Sequence, residues 1–427
     1  MSAVTGAREA AAGEGGAPAP TPCRFCGAPL DAVFADLGSS PLANSYLPPE
    51  RVGAMEPYYP LRALVCGSCF LVQLEQFETP ARIFSDYAYF SSYSSTWLEH
   101  CRRYAEQMVD ALGLDEHSHV VELASNDGYL LQYFRERRIP VLGIEPAANV
   151  AKVALQKGIP TLVEFFGRET AASLARDSAA DLLLGNNVLA HVPDLNDFLG
   201  GMKILLKPGG AITMEFPHLL RLIEGNQWDT IYHEHFSYLS FLTVSRMFAA
   251  HGLRLYDVQE LPTHGGSLRI HGCHEDDVGR PDSERARELR ERERAAGYER
   301  LETYTEFGRR VAADKRQILA FLIELKNQGR RVVGYGAPAK GNTLLNHCGV
   351  RRDFIDYTVD LNPHKQGHFL PGSHIPIRAP AALREDRPDV VLILPWNLRD
   401  EITAQHAYIR EWGGRFAVRA PQLELLS

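Results

Sequence analysis

Apolar runs of strand length recur in two series along the chain, and helical spacing of apolar positions fills the gaps between runs. The first series comprises residues 119–123 (HVVEL), 141–144, 181–184 and 211–215. Strands alternating with helical periods predict a parallel sheet covered by helices, the α/β class. A second series, 331–334, 355–359 and 390–394, starts the same alternation again. Between the two, residues 280–329 mix charges of both signs with apolar positions at Ile318, Leu319, Leu322 and Leu325, which predicts a solvated helical connector with one apolar stripe. Residues 21–78 combine Pro, Gly and short β-like runs around four cysteines. Residues 1–20 are rich in Ala, Gly and Pro and lack the basic start and apolar core of a signal peptide, so a disordered tail is expected there. The pattern divides the chain into that tail, a cysteine-bearing module (21–78), an α/β domain (79–279), the connector (280–329) and a Rossmann-like α/β domain (330–427). No apolar run approaches the ~20 residues of a spanning helix.

Composition narrows the function classes. The 427 residues agree with two or three domains at a prior of about 150 residues each. Hydrophobic residues at 45% and charged residues at 23% suit a globular chain with sizeable cores. A net charge of −8 argues against phosphate-backbone binding, where clustered positive charge supplies most of the affinity. The expected partners therefore include neither nucleic acid nor membrane, and a cytoplasmic monomer is expected.

Seven cysteines are too sparse for a disulfide scaffold. Four of them form two knuckles, Cys23-x2-Cys26 and Cys66-x2-Cys69. Four thiolates suit a tetrahedral Zn²⁺ and leave no open position for substrate, so the site is expected to be structural. An iron–sulfur centre is the alternative for the same ligands, and a zinc-knuckle nucleic-acid binder is the alternative class. Cys101, Cys273 and Cys348 are expected to be packed thiols.

The segment HVVELASNDGYLLQYF reads as strand, tight turn and helix, the arrangement that offers free backbone N–H groups to a ligand. Its turn runs through Glu122, Ala124, Ser125, Asn126 and Gly128, with one glycine where a dinucleotide fingerprint has three. The next strand ends in GIEP, which puts Glu145 where an acid accepts hydrogen bonds from ribose hydroxyls. The loop holding Asn186 and Asn187 lies at the carboxyl edge of a further strand, and LLKPGGAITMEFP supplies the turn into the fifth. In this order the pieces resemble the S-adenosylmethionine pocket of class I methyltransferases.

Downstream, residues 228–238 (WDTIYHEHFSY) bring Tyr232, Glu234 and His235 together. Their spacing is not the HExxH of a metal site. A histidine is the natural general base near neutral pH, a carboxylate can orient it, and a phenol can donate to an oxyanion. His191 is expected on the same edge, and Tyr87 in a tyrosine-rich lid. In the second α/β domain, GYGAPAKGN lacks the signatures of both NAD and ATP sites, yet a helix N-terminus with one lysine can meet a pyrophosphate. Tyr335, Gly336, Lys340 and Asn342 in that turn, Asn362 and Lys365 in VDLNPHKQG, and Trp396 and Asn397 in LPWN are the candidate substrate residues.

Taken together, CxxC…CxxC, SNDGYLL, YHEHFSYLS, GYGAPAKGNTLLN, DLNPHKQG and LPWN make the chain similar to the sugar 3-C-methyltransferases of deoxysugar biosynthesis. The resemblance implies an N-terminal zinc module, a central S-adenosylmethionine domain and a C-terminal nucleotide-sugar domain. It implies methylation at carbon 3 of a dTDP-linked 4-keto-deoxysugar. His235 would be the base, Glu234 and Tyr232 its positioning partners or the sugar's, and His191 and Tyr87 its neighbours. An O- or N-methyltransferase and a nicotinamide-dependent sugar oxidoreductase are the alternatives.

Overall fold

The computed structural model describes residues 21–79, 91–93, 95–176 and 178–426. The N-terminal tail and Tyr87 lie outside the described residues. In chain order the strands are β1 (Ala32–Ser40), β2 (Tyr59–Val65), β3 (Val72–Leu74), β4 (Val120–Leu123), β5 (Val141–Ile144), β6 (Thr161–Leu162), β7 (Ala180–Asn186) and β8 (Leu206–Pro217). There follow β9 (Ser237–Tyr238), β10 (Leu253–Leu261), β11 (Ser267–His274), β12 (Val332–Tyr335), β13 (Thr358–Val359) and β14 (Ile377–Arg378). The last three are β15 (Val390–Ile393), β16 (Arg415–Val418) and β17 (Glu424–Leu426).

They form three sheets, with orders β1-β2-β3-β9, β10-β11-β8-β7-β4-β5-β6 and β14-β13-β12-β15-β16-β17. In the second sheet β4 pairs in parallel with both β5 and β7, and in the third β12 does so with β13 and β15. All residues of β4, β12 and β15 are buried, which is why these strands read as unbroken apolar runs. The second and third sheets each reverse strand order beside a central strand, so the loops leaving β4 and β12 open at switch points, where open α/β sheets bind ligands.

The cysteine module is not a separate bead. Its strand β3 pairs antiparallel with β9, Val72 opposite Tyr238. The four-stranded sheet is therefore completed by a strand from the histidine-rich segment.

The connector is also more than a solvated helix. The helix Leu301–Asn327 buries Tyr304, Phe307, Val311, Ile318, Leu322 and Leu325. The stripe thus extends about four turns beyond the expected one, back to Tyr304. Phe307 stacks on Phe34 of β1 with ring centroids 4.6 Å apart. Among the described residues, no helix is long and apolar enough to cross a membrane.

One buried ionic cluster joins three segments. Arg419, following β16, is 1% exposed. It donates from Nη2 to Asp229 Oδ1 at 2.7 Å and from Nη1 to Asp314 Oδ2 at 2.9 Å. Trp228 Nε1 donates to Asp314 Oδ2 at 2.6 Å and Trp396 Nε1 to Asp229 Oδ2 at 2.9 Å. Removing the guanidinium strands two carboxylates in the interior. Arg419→Ala is therefore expected to cost about 3–5 kcal/mol of stability, read as a lower midpoint in urea; an unchanged midpoint would refute the cluster's importance.

Candidate functional site

The four knuckle sulfurs converge. Cys23 Sγ lies 3.6 Å from Cys69 Sγ, Cys26 Sγ lies 3.5 Å from Cys66 Sγ, and all four fall within 4.8 Å of one another. Around a Zn²⁺ with Zn–S bonds of about 2.3 Å, the edges of a thiolate tetrahedron measure about 3.8 Å. The donor set and its spacing fit zinc. Outer contacts support the ligands, since Gln73 Nε2 donates to Cys23 Sγ at 3.1 Å and the Ser68 N–H to Cys66 Sγ at 3.4 Å. Arg24, inside the first knuckle, donates to the carbonyls of Leu74 at 2.6 Å and Pro193 at 2.9 Å, tying the knuckle to the neighbouring domain. Cys101, Cys273 and Cys348 are buried.

At the carboxyl end of β4 the chain makes a turn that glycine alone does not explain. Ala124 and Asn126 adopt φ of 56° and 49°, and Gly128 75°. Glu145, following β5, holds this turn. Its Oε2 accepts from the Asn126 N–H at 2.9 Å and its Oε1 from the Ala147 N–H at 2.8 Å. A carboxylate has about four lone-pair sites, so capacity remains for ligand hydroxyls. Burial raises its pKa, and the two N–H groups oppose that. Gly143 permits the close approach of strand and turn, because a Cβ there would stand 2.3 Å from Ser125 Oγ. Ser125 Oγ, Asn186 Nδ2 and Asn187 Oδ1 are buried without hydrogen-bond partners. Three such atoms around one strand edge are what a polar ligand would satisfy. Glu122 is fully buried beneath the turn, and burial raises its pKa well above the usual carboxylate value while Tyr129 acts against the shift.

The histidine-rich segment divides its side chains between two neighbours. His233 hydrogen-bonds through Nε2 to the Pro60 carbonyl at 3.1 Å, facing the cysteine module. His235 turns the other way. Its Nδ1 lies 3.1 Å from the Thr230 carbonyl, which only accepts, so Nδ1 carries the proton. Nε2 is then the free base, and the Tyr232 hydroxyl donates to it at 2.9 Å. His191 meets His235 edge to face at 4.8 Å. Burial and then His191 hold the His235 pKa well below the ordinary histidine value, and burial brings His191 to about 4. Glu234 makes its contacts away from His235. Both of its oxygens accept from Asn44 Nδ2, at 2.9 and 2.8 Å. Burial pushes its pKa up to about 7, and Asn44 opposes the shift. Asn44 comes from the cysteine module, and no local spacing in the sequence announces it.

Beyond the third sheet, the segments after β12, β13 and β15 carry Lys340 in the first turn of the helix Ala339–Cys348, Asn362 with Lys365, and Trp396 with Asn397 in a short 3-10 helix. Lys340 Nζ donates to Asn397 Oδ1 at 2.8 Å and stands 4.3 Å from the Trp396 ring centre. Lys365 Nζ donates to the Ala337 carbonyl at 2.9 Å and lies over Tyr46. Burial lowers the pKa of both, that of Lys340 to about 8. Asn362 forms an Asx turn, its Oδ1 accepting from the His364 N–H at 2.9 Å. Asp360 repeats the device of Glu145. Its Oδ2 accepts from the Ala337 N–H in the turn at 2.7 Å, and its Oδ1 from the Asn362 N–H at 2.8 Å.

The chain matches a C-methyltransferase C-terminal domain family over residues 262–421, a methyltransferase domain family over 97–258 and a zinc binding domain family over 23–84. It is 37% identical over 410 residues to the C-methyltransferase NovU of Streptomyces niveus, covering 95% of this chain and 96% of that protein. The chain belongs to the C-methyltransferase family. Among solved structures it is similar to the PH0226 protein of Pyrococcus horikoshii OT3, at 14% identity and TM-score 0.36, covering 46% of this chain and 99% of that one. It is also similar to the magnesium protoporphyrin IX methyltransferase of Synechocystis PCC 6803 with bound SAH, at 12% identity and TM-score 0.33, covering 41% and 82%.

As a C-methyltransferase the protein uses S-adenosylmethionine, which supplies an electrophilic sulfonium methyl, and its zinc module carries four cysteine ligands. The turn at Ala124–Gly128, Glu145 and the unpartnered atoms of Ser125, Asn186 and Asn187 fit that cofactor. Two expected substrate residues face inward instead. Tyr335 is 4% exposed and bonds His406 Nε2 at 2.8 Å, because every residue of a strand covered on both faces enters the core. Asn342 is 1% exposed and donates to the Ala43 carbonyl at 2.6 Å, holding the cysteine module. Gly336, at φ 85°, packs against Pro395, where a Cβ would come within 2.6 Å.

Proposed function

We propose that this C-methyltransferase transfers a methyl group to carbon 3 of a dTDP-linked 4-keto-deoxysugar in natural-product biosynthesis, acting as a cytoplasmic monomer. The observation that carries the reading is the fixed tautomer of His235, a base whose free Nε2 receives the Tyr232 hydroxyl. A ketone at carbon 4 acidifies the C3–H. His235 Nε2 takes that proton, and the electron pair passes into an enolate whose carbon 3 is the methyl acceptor. A phenol poised at Nε2 can shift to a substrate oxygen when the imidazole becomes protonated. Ala124, Ser125, Asn126, Gly128, Glu145, Asn186 and Asn187 would hold S-adenosylmethionine, with Glu122 supporting the turn from below. Lys340, Lys365, Asn362, Trp396 and Asn397 would hold the nucleotide diphosphate, two cations meeting two phosphates in an otherwise acidic protein. Carbon rather than oxygen or nitrogen is favoured by the NovU relative, which is named for C-methyl transfer.

The test is incubation of purified protein with S-adenosylmethionine and a dTDP-4-ketohexose, with the added methyl located by mass spectrometry and NMR. A methyl on oxygen or nitrogen would refute the reading. Glu234 gives a pH prediction. With its pKa near 7, it ionises as pH rises through that value, and Asn44 donating to both oxygens favours the ionised form. The parent kcat/KM is expected to rise through about pH 7, and Glu234→Gln to remove that inflection. His235, already neutral there, cannot be its source. An inflection unchanged in the Gln variant would contradict the assignment.

A further inference from the structure

The hairpin tip between β10 and β11 carries a histidine that the chemistry above leaves unused. Ser267 of β11 pairs with Pro217 at the carboxyl end of β8. The tip therefore stands over the same sheet edge as Asn186 and the cofactor turn. His264 adopts φ 56°, followed by Gly265 at 91° and Gly266 at 120°. The left-handed region is uncommon outside glycine, although histidine enters it more readily than most residues, and such positions often occur at functional sites.

Here the surroundings are clear. Gln227 Nε2 donates to the Gly265 carbonyl at 2.7 Å, Thr263 Oγ1 to Glu215 Oε1 at 3.0 Å, and Ser267 Oγ to the Thr263 carbonyl at 3.0 Å. Glu215 is itself held by Arg269 Nη2 at 2.6 Å and His100 Nε2 at 2.9 Å. A Cβ on Gly265 would lie 2.3 Å from the Trp396 ring, so the loop is pressed against the second α/β domain.

The side chain of His264 stays exposed. Yet protein crowds it closely enough that burial, then the charge of Lys340, lowers its pKa to about 4. Exposure combined with crowding describes a group lining a deep cleft. Trp97 packs against it with ring centroids 5.4 Å apart. His264 and Lys340 both stand near enough to His235 to disfavour its protonation. The cleft thus receives the base from one element, a cation from the second α/β domain and a neutral imidazole from the hairpin. A neutral imidazole offers one N–H donor and one acceptor.

We infer that His264 is a substrate-binding residue whose ring N–H holds the ketone oxygen of the acceptor sugar. The inference rests on the 4-keto-sugar reading. As His235 takes the C3 proton, the pair of the broken C–H bond delocalises onto that oxygen, and a donor on a clamped loop meets the charge without rearranging. Uncharged before and after the step, His264 keeps its own proton.

Two variants separate the ring from the backbone. His264→Gly removes the imidazole and accepts the left-handed conformation, whereas His264→Asn tolerates it and restores an N–H donor. With a dTDP-4-ketohexose, H264G is expected to lose about 10²–10³-fold in kcat/KM, and H264N to recover at least about tenfold of it. Melting temperature and S-adenosylmethionine affinity are expected to match the parent. Turnover of H264G close to the parent's, an H264N no better than H264G, or a loss that tracks cofactor binding or melting would each overturn the inference. A parent protein that neither exchanges nor methylates the C3 position would remove the 4-keto-sugar reading and this inference together. An active parent with an unimpaired H264G would remove the inference alone.

Discussion

Replacing His235 by alanine is expected to slow methyl transfer by about 10²–10⁴-fold, the range a positioned general base supplies, while S-adenosylmethionine binds as before. The expectation follows from how the ring is held. The Thr230 carbonyl fixes the proton on Nδ1, and the Tyr232 hydroxyl is directed at Nε2. Burial favours the neutral imidazole, the form in which Nε2 can accept a proton. No residue of the cofactor turn bonds to this ring among the contacts above, which is why binding should survive. His233→Ala is the internal control, because that ring faces Pro60 and Tyr59 on the cysteine module. Single-turnover rates and calorimetry of the cofactor separate the two effects. Near-normal turnover by H235A would overturn the base assignment. A C3 hydrogen exchange that persists in H235A while methylation stops would do the same, since exchange needs the base alone.

Stripping the zinc, or replacing Cys66 by serine, is expected to abolish turnover although the four knuckle sulfurs form a closed structural set. Cys66 and Cys69 sit in the turn between β2 and β3, and β3 pairs with β9. His235 lies two residues before β9. Losing the metal frees that turn, and the strand pairing beside His235 goes with it. The module also supplies Asn44 to Glu234 and receives Asn342 at Ala43. Misplacement of a catalytic group by about 1 Å can cost about 10²-fold, and unfolding of the module costs more. Structural zinc contributes folding free energy outright, of order 10–16 kcal/mol in isolated finger peptides. Cofactor binding is expected to persist, because the β4 turn belongs to another sheet. Metal content, activity and S-adenosylmethionine affinity measured on one chelated sample decide the point. Full activity with no zinc bound would refute this coupling.

Local pattern made much of this protein legible. Buried parallel strands are continuous apolar runs, so both α/β units could be read directly, as could two knuckles whose ligands are two residues apart. The same holds for the acid that follows β5, since strand, turn and helix are contiguous. The connector was read as solvated because charges interrupt its stripe. Its partner, Phe34 of β1, lies far away in sequence, and only that packing shows that Tyr304 and Phe307 are core.

The candidate site divides along the same line. Residues at strand ends and in tight turns can be nominated by position, but the direction of each side chain is not legible in the sequence. Tyr335 and Asn342 turn into the core and the module, while His264 and Asn44 reach positions that little nearby in the sequence marks. A histidine before two glycines is the one local hint for the hairpin tip. By itself the sequence determined the elements, the zinc ligands and the chemistry class, because periodicity and ligand spacing are short-range properties of the chain. The tertiary structure decided which groups are neighbours, which carboxylate meets which amide, and how the cysteine sheet adjoins His235. Those depend on contacts between distant segments, and they form only when burial and hydrogen bonding select one packing of the three sheets.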